Sequence, residues 1–119
     1  MLLAEDWLRA VALALPDVQE KETWGKPTFR VRGKLFLTMA LDGSTATMKA
    51  SLDDQAELVA KDPEVFSIAP YAGRYGWIKV SVNRCDVDLL EHLVYSAWCK
   101  SAPRDILALA PSPTSLRAG

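Results

Sequence analysis

Residues 24–50, WGKPTFRVRGKLFLTMALDGSTATMKA, constrain the fold more than any other part of the chain. Two glycine-bearing turn signals, Arg32-Gly33 and Asp42-Gly43, punctuate β-branched, aromatic and alternating apolar residues. This pattern predicts a three-stranded meander over 28–31, 34–41 and 45–50. Asp42-Gly43 is the stronger signal, because both central positions of a type I′ turn need positive φ. As a two-residue loop it pairs Met39 with Ala46, Leu37 with Met48 and Thr38 with Thr47, and sets Phe36 opposite Lys49 on the outer face. Arg32-Gly33 admits two registers. A two-residue loop pairs Phe29 with Phe36 and turns Val31 away from Leu37 and Met48. A one-residue adjustment gathers Phe29, Val31, Leu35, Leu37 and Met48 on one face instead. Side chains alternate with period two, so the question is one of parity.

Helical patterns flank this meander. Residues 3–15 carry one apolar stripe, which Pro16 ends, and the polar stretch 17–23 reads as a surface loop. A second helix over 52–61 opens on Ser51 with Asp54 at the third position, and its stripe is Leu52, Ala56, Val59 and Ala60. Strands over 65–69 and 77–82 follow, joined by PYAGRYG. Asp86 caps a long last helix whose stripe is Val87, Leu90, Val94, Ala97 and Trp98, widened by Leu89 and Leu93. Ala102-Pro103 breaks it before a short helical turn over 104–110, and residues 111–119 read as a disordered polar tail. The order α-β(3)-α-β(2)-α predicts an α+β domain over 1–110, an antiparallel sheet with helices on one face.

A chain of 119 residues, half of them hydrophobic, can bury one core without metals or disulfides. Cys85 and Cys99 are not spaced as a redox pair and read as reduced, packed thiols. Glu5 and Asp6 deny the start a signal-peptide pattern, and no apolar run reaches bilayer length. The expectation is a soluble, cytoplasmic monomer without a cofactor.

Charge is the most informative property. The net of −1 hides a segregation, because residues 24–50 hold Lys26, Arg30, Arg32, Lys34 and Lys49 against Asp42. Residues 71–84 add Arg74, Lys79 and Arg84 with no acid, so the remainder of the chain is strongly acidic. Thr45, Thr47, Lys49, Trp77, Lys79 and Ser81 are expected on the sheet face away from the helices. Basic and hydroxyl side chains beside aromatics suit phosphate contacts with base stacking. The candidate nucleic-acid contacts are Lys26, Arg30, Arg32, Lys34, Lys49, Arg74 and Lys79, with Trp24 and Trp77 as stacking groups. The bland alternative is that these cations only solubilise an open sheet. Tyr71 and Tyr75 either line a groove with the tryptophans or pin loops to the core.

Catalytic patterns are lacking. His92 is the only histidine and sits on the polar side of the last helix, four positions after Asp88. No second histidine or thiol cluster supports zinc, and no nucleophile elbow supports a triad. Gly73-Arg74-Tyr75-Gly76 lacks phosphate-loop spacing. Asp53, Asp54 and Glu57 read as a solvated acidic helix face.

WGKPTFRVRGKLF over 24–36, DPEVF over 62–66, GWIKV over 76–80 and the later Ala102-Pro103 together resemble the MmcQ/YjbR family of small bacterial proteins. The likeness spans about residues 3 to 110. It implies a secretion-chaperone-like two-layer fold in the order already derived. Members are labelled DNA-binding by analogy of fold with a double-wing domain, and no catalytic residues carry over. The reading is a non-enzymatic protein that binds DNA or another anionic ligand weakly through its basic sheet face. The alternative is a protein- or peptide-binding module using that face or its edges.

Overall fold

Two apolar cross-strand rows on one side of a six-stranded sheet define the core. The structure is a computed structural model that describes residues 4–110, and the expected tail over 111–119 lies outside them. The chain runs α1 (Ala4–Leu13), β1 (Val18–Thr23), β2 (Lys26–Val31), β3 (Lys34–Met39), β4 (Thr45–Met48), α2 (Leu52–Lys61) and β5 (Phe66–Ile68). A 3-10 turn (Ala72–Tyr75), β6 (Ile78–Ser81), α3 (Val87–Ser101) and α4 (Arg104–Leu107) complete it. The strands order as β1-β2-β3-β4-β6-β5, every neighbour antiparallel. This is the expected α+β class.

The meander has one strand more than expected. Residues 18–23 pair with β2 from Val18↔Val31 to Thr23↔Lys26, where a surface loop was predicted. Their reading VQEKET shows no apolar alternation because β1 is an edge with little apolar burial to encode. The main-chain ladder holds it, aided by Arg9 of α1, whose Nε donates to Glu20 Oε1 at 2.8 Å. Trp24 (φ 53°) and Gly25 (φ 76°) form the connecting two-residue turn, both in the left-handed region that a type I′ hairpin requires.

A bulge resolves the parity question. Arg32 (φ 51°) and Gly33 (φ 80°) are a two-residue turn with Val31 opposite Lys34. A register shift between Phe29 and Arg30 then pairs Phe29 with Leu37 and Arg30 with Leu35. The extra residue is Phe36, which is buried together with Leu37 rather than facing outward opposite Lys49. Leu35, which the one-residue adjustment would place in the core row, is only half-buried. The bulge thus lets a tight turn coexist with Phe29, Val31, Leu37 and Met48 all inside.

Across β3 and β4 the register is the predicted one, with Leu37↔Met48, Thr38↔Thr47 and Met39↔Ala46. The turn chemistry differs. Gly43 alone has positive φ, its N–H donates to the Ala40 carbonyl, and Asp42 Oδ1 accepts from Ser44 N and Oγ. The aspartate acts as a side-chain cap for the loop rather than as a type I′ residue.

The row Phe29–Leu37–Met48–Ile78 runs through four strands, and Met39–Ala46–Val80–Phe66 lies beside it. Leu8 and Ala12 of α1 and Leu90, Val94, Ala97 and Trp98 of α3 belong to the same buried cluster. Each buried large apolar side chain contributes ~2 kcal/mol. Trp98 also donates its Nε1–H to the Pro16 carbonyl at 3.0 Å, which satisfies the indole inside the core. Val87, expected on this stripe, is exposed at the first turn of α3.

Helix α2 is rotated from its expected face. Leu52, Ala56 and Ala60 are exposed, and Gln55 is buried. Gln55 Nε2 donates to the carbonyls of Gly73 and Trp77, both at 2.8 Å, so a buried amide ties α2 to the loop before β6. Gly76 closes that loop at φ +103°, where an added Cβ would lie 2.6 Å from the Ala50 carbonyl oxygen. Gly33 has φ +80° and nothing within 4 Å of such a Cβ. Gly33→Ala is therefore expected to cost only the left-handed backbone penalty, ~1–2 kcal/mol. Gly76→Ala adds a backbone clash and is expected to reach ~3 kcal/mol or more. Urea unfolding of the two variants checks this, and equal losses would refute the close approach at Gly76.

Candidate nucleic-acid interface

The face opposite the helices carries a hydroxyl row produced by register alone. Lys21, Thr28, Thr38, Thr47, Lys79 and Ser67 occupy one continuous cross-strand line through all six strands. Neighbouring positions of the same parity on β1 and β2 are Gln19, Thr23, Lys26 and Arg30. Alternation along β1 therefore separates charge, with Lys21 on this face and Glu20 on the helix side, bound to Arg9.

Lys26 and Lys79 line a depression of about 200 Å³ floored by Thr38, Thr45 and Thr47. The two lysines stand on β2 and β6, strands three inter-strand steps or about 14 Å apart, and flank the threonines between them. Threonine hydroxyls both donate and accept, and lysines supply mobile point charges, which together suit an oxyanion.

A larger trough of about 520 Å³ follows the β1–β2 hairpin, lined by Gln19, Lys21, Glu22, Thr23, Trp24, Arg30 and Gly33. Arg30 is incompletely satisfied there. Its Nη1 donates to the Gly33 carbonyl at 3.4 Å and its Nη2 to Thr23 Oγ1 at 3.5 Å, both long for hydrogen bonds. Its Nε is buried with no hydrogen-bond partner, which costs about 1–3 kcal/mol. Trp24 on the rim is 91% exposed.

The remaining candidates do not join this face as one patch. Arg32 is an ion-pair hub, with Nε bonded to Asp17 and Nη2 3.2 Å from Asp105, linking the β2–β3 turn to both flanking segments. The Asp17 hydrogen bond and the Asp105 charge raise its pKa above the usual value. Its charge is thereby paired within the chain, at the surface. Lys34 sits beside it at the far end of the hairpin, opposite Val31. Lys49 follows β4 by one residue and is half-buried, and its N–H donates to the Phe36 carbonyl. Alternation puts it on the side of Thr47, away from the lining of either concavity. Arg74 lies in the 3-10 turn with its guanidinium 4.8 Å over the Tyr75 ring. Trp77 is half-buried beside β6, three strand steps from β2, so it and Trp24 do not form one stacking groove.

Lys21 escaped the sequence reading because β1 was read as a loop. The signal that finds it is Gly25: a two-residue turn at Trp24-Gly25 pairs Lys21 with Thr28 by counting alone.

Among the described residues, Cys85 is displaced from the nucleophilic thiolate form. Burial pushes the Cys85 thiol up to about 11, with Asp86 and Asp62 adding to the effect. His92 is exposed on α3 beside Asp54, Glu57 and Ser96 in a shallow groove of about 170 Å³. Among the described residues, no group of three or more His, Cys, Asp or Glu side chains could hold a metal ion. None of their helices is long and apolar enough to cross a membrane.

Two measurements follow from these environments. Replacing Arg32 by Ala is expected to lower the thermal midpoint at low salt and to matter less at high salt, since its carboxylate partners are exposed and screened. A loss unchanged by salt would contradict an ion-pair role. Cys85 is expected to resist thiol reagents at neutral pH in the folded protein and to react at once in urea. Because its folded pKa is raised from 9.0 to about 11, its stabilising contribution is complete below pH 9 and lost as pH rises towards 11. Cys85→Ala should flatten that alkaline decline.

The family profile described as YjbR matches residues 13–100. The crystal structure of Deinococcus radiodurans protein DR2400, which carries a DUF419 domain, has a similar fold. Its TM-score is 0.73 at 17% sequence identity, over 82% of this chain and 80% of that one. No curated protein matches the chain.

Proposed function

This chain belongs to the YjbR family, and we propose that it is a non-enzymatic cytoplasmic protein that binds nucleic acid weakly through its open sheet face. The observation that carries the reading is the convergence of Lys26 and Lys79 on the threonine-floored depression, with Lys21 and Arg30 on the same face. Cations that flank hydroxyls without acids between them suit a phosphodiester backbone. Two unbridged cysteines, one buried and held protonated, fit a reducing compartment and a site without a thiol nucleophile. Four cations make a small footprint, and the sequence pI near 5.8 adds no general attraction, so affinity is modest and salt-sensitive.

A second reading, a protein- or peptide-binding module, has its own support at the opposite edge. Among the described residues, strand β5 pairs with β6 alone, and Ile68, Tyr71 and Tyr75 around it are exposed. An unpaired edge beside apolar side chains suits an added strand.

Titration of labelled single-stranded and duplex DNA tests the first reading. Log affinity is expected to fall with log salt at a slope of about −2 to −3, near −0.7 for each neutralised phosphate on a single strand. Lys26→Glu/Lys79→Glu should weaken binding ~10-fold or more and flatten that slope. Absence of binding at low salt, or indifference to the charge reversal, would sink the proposal.

A further inference from the structure

We infer that the trough along the β1–β2 hairpin takes unpaired nucleotides, with a base stacked on Trp24 and the adjoining phosphate on Arg30 and Lys21. The inference rests on the nucleic-acid reading above and specifies what form of nucleic acid the face selects.

Three observations converge on it. Trp24 occupies the first central position of a type I′ turn at φ 53°, where Asn, Asp or Gly is favoured and a bulky residue is strained. The ring is 91% exposed, so core burial does not compensate for that conformation. An exposed aromatic in a disfavoured backbone region, on the rim of a trough that holds Arg30 and Lys21, is the arrangement expected of a stacking platform.

Arg30 supplies the second observation. Its two Nη contacts lie at 3.4 and 3.5 Å and engage one hydrogen on each nitrogen, so the guanidinium retains Nη donors for an incoming phosphate oxygen, while its Nε is enclosed. Lys21 stands on the neighbouring strand and lines the same trough.

The third is the charge balance. Lys21 and Arg30 against Glu22 leave the trough with little net positive charge. Electrostatics alone is then too weak to hold a duplex there, and a paired base offers its face only to its neighbours in the stack. A single strand can add stacking on Trp24. The trough also extends from Trp24 to Gly33, the turns at the two ends of β2, which suits an extended backbone.

The test compares oligo-dT, a blunt duplex of equal length and an abasic strand of equal length, at low salt. The wild-type chain is expected to bind oligo-dT ~10-fold more tightly than the abasic strand, the gain typical of one stacked base, and more tightly than the duplex. Trp24→Asn installs the residue that the turn prefers, so its thermal midpoint should hold or rise while oligo-dT affinity falls to the abasic level. Arg30→Gln, with folding checked by the same midpoint, should weaken oligo-dT and abasic strands alike. The inference is overturned if Trp24→Asn leaves the preference for oligo-dT unchanged, or if the duplex binds as well as the single strand. Either result with binding still sensitive to Lys26→Glu/Lys79→Glu leaves the broader reading standing. If no probe binds the wild-type chain, both fall.

Discussion

The bulge between Phe29 and Arg30 is the constraint on which the two-sided sheet depends. A two-residue turn at Arg32-Gly33 and an unbroken ladder would set Phe29 against Phe36 and put Val31 on the wrong side. The structure keeps the turn and inserts Phe36 as an extra residue, so Phe29, Val31, Phe36, Leu37 and Met48 are all buried. The same shift leaves Thr28, Thr38 and Thr47 in register on the outer face, while the turn itself sets Arg30 opposite Leu35. One extra residue therefore sets both the core row and the hydroxyl row.

Strand β1 determines the electrostatics of that outer face. Its alternation sends Lys21 to the face of Lys26, Arg30 and Lys79, while Glu20 is drawn to Arg9 of the first helix. Arg32, which looks equivalent to Arg30 in the sequence, is instead bound by Asp17 and Asp105 and serves the closure of the fold. Two arginines two positions apart thus have different roles. One is consumed by carboxylates, and the other retains unmet donors in a trough.

The loop before β6 shows a third use of polar groups. Gln55 reaches from α2 to the carbonyls of Gly73 and Trp77, adding a second donor to acceptors that already take the Gly76 and Ala69 N–H groups. Nearby, Tyr71 sits at φ 62° and ψ −60° with the Ala72 N–H donating to the Pro70 carbonyl, a tight three-residue turn. The result is an anchored loop that leaves Tyr71 and Tyr75 exposed at the β5 edge.

Helical apolar stripes and caps, with turn residues and period-two alternation, were enough to determine the helices, five of the six strands and the β3–β4 register. These features follow from local backbone preference and from which face each side chain must take. Apolar alternation could not disclose β1, because an edge strand held by main-chain bonds carries none, and only the Trp24-Gly25 turn signals it. Nor could it predict the bulge, which arises where turn geometry and core parity conflict across two strands. The candidate site was legible in its residue types and only partly in its membership. Lys26, Arg30, Lys79 and Trp24 line the two concavities, Lys21 was missed, and Arg32 is withdrawn by an aspartate 73 positions away. Charge neighbours of that kind exist only once distant segments meet, so tertiary structure alone decided which cations remain available to a ligand.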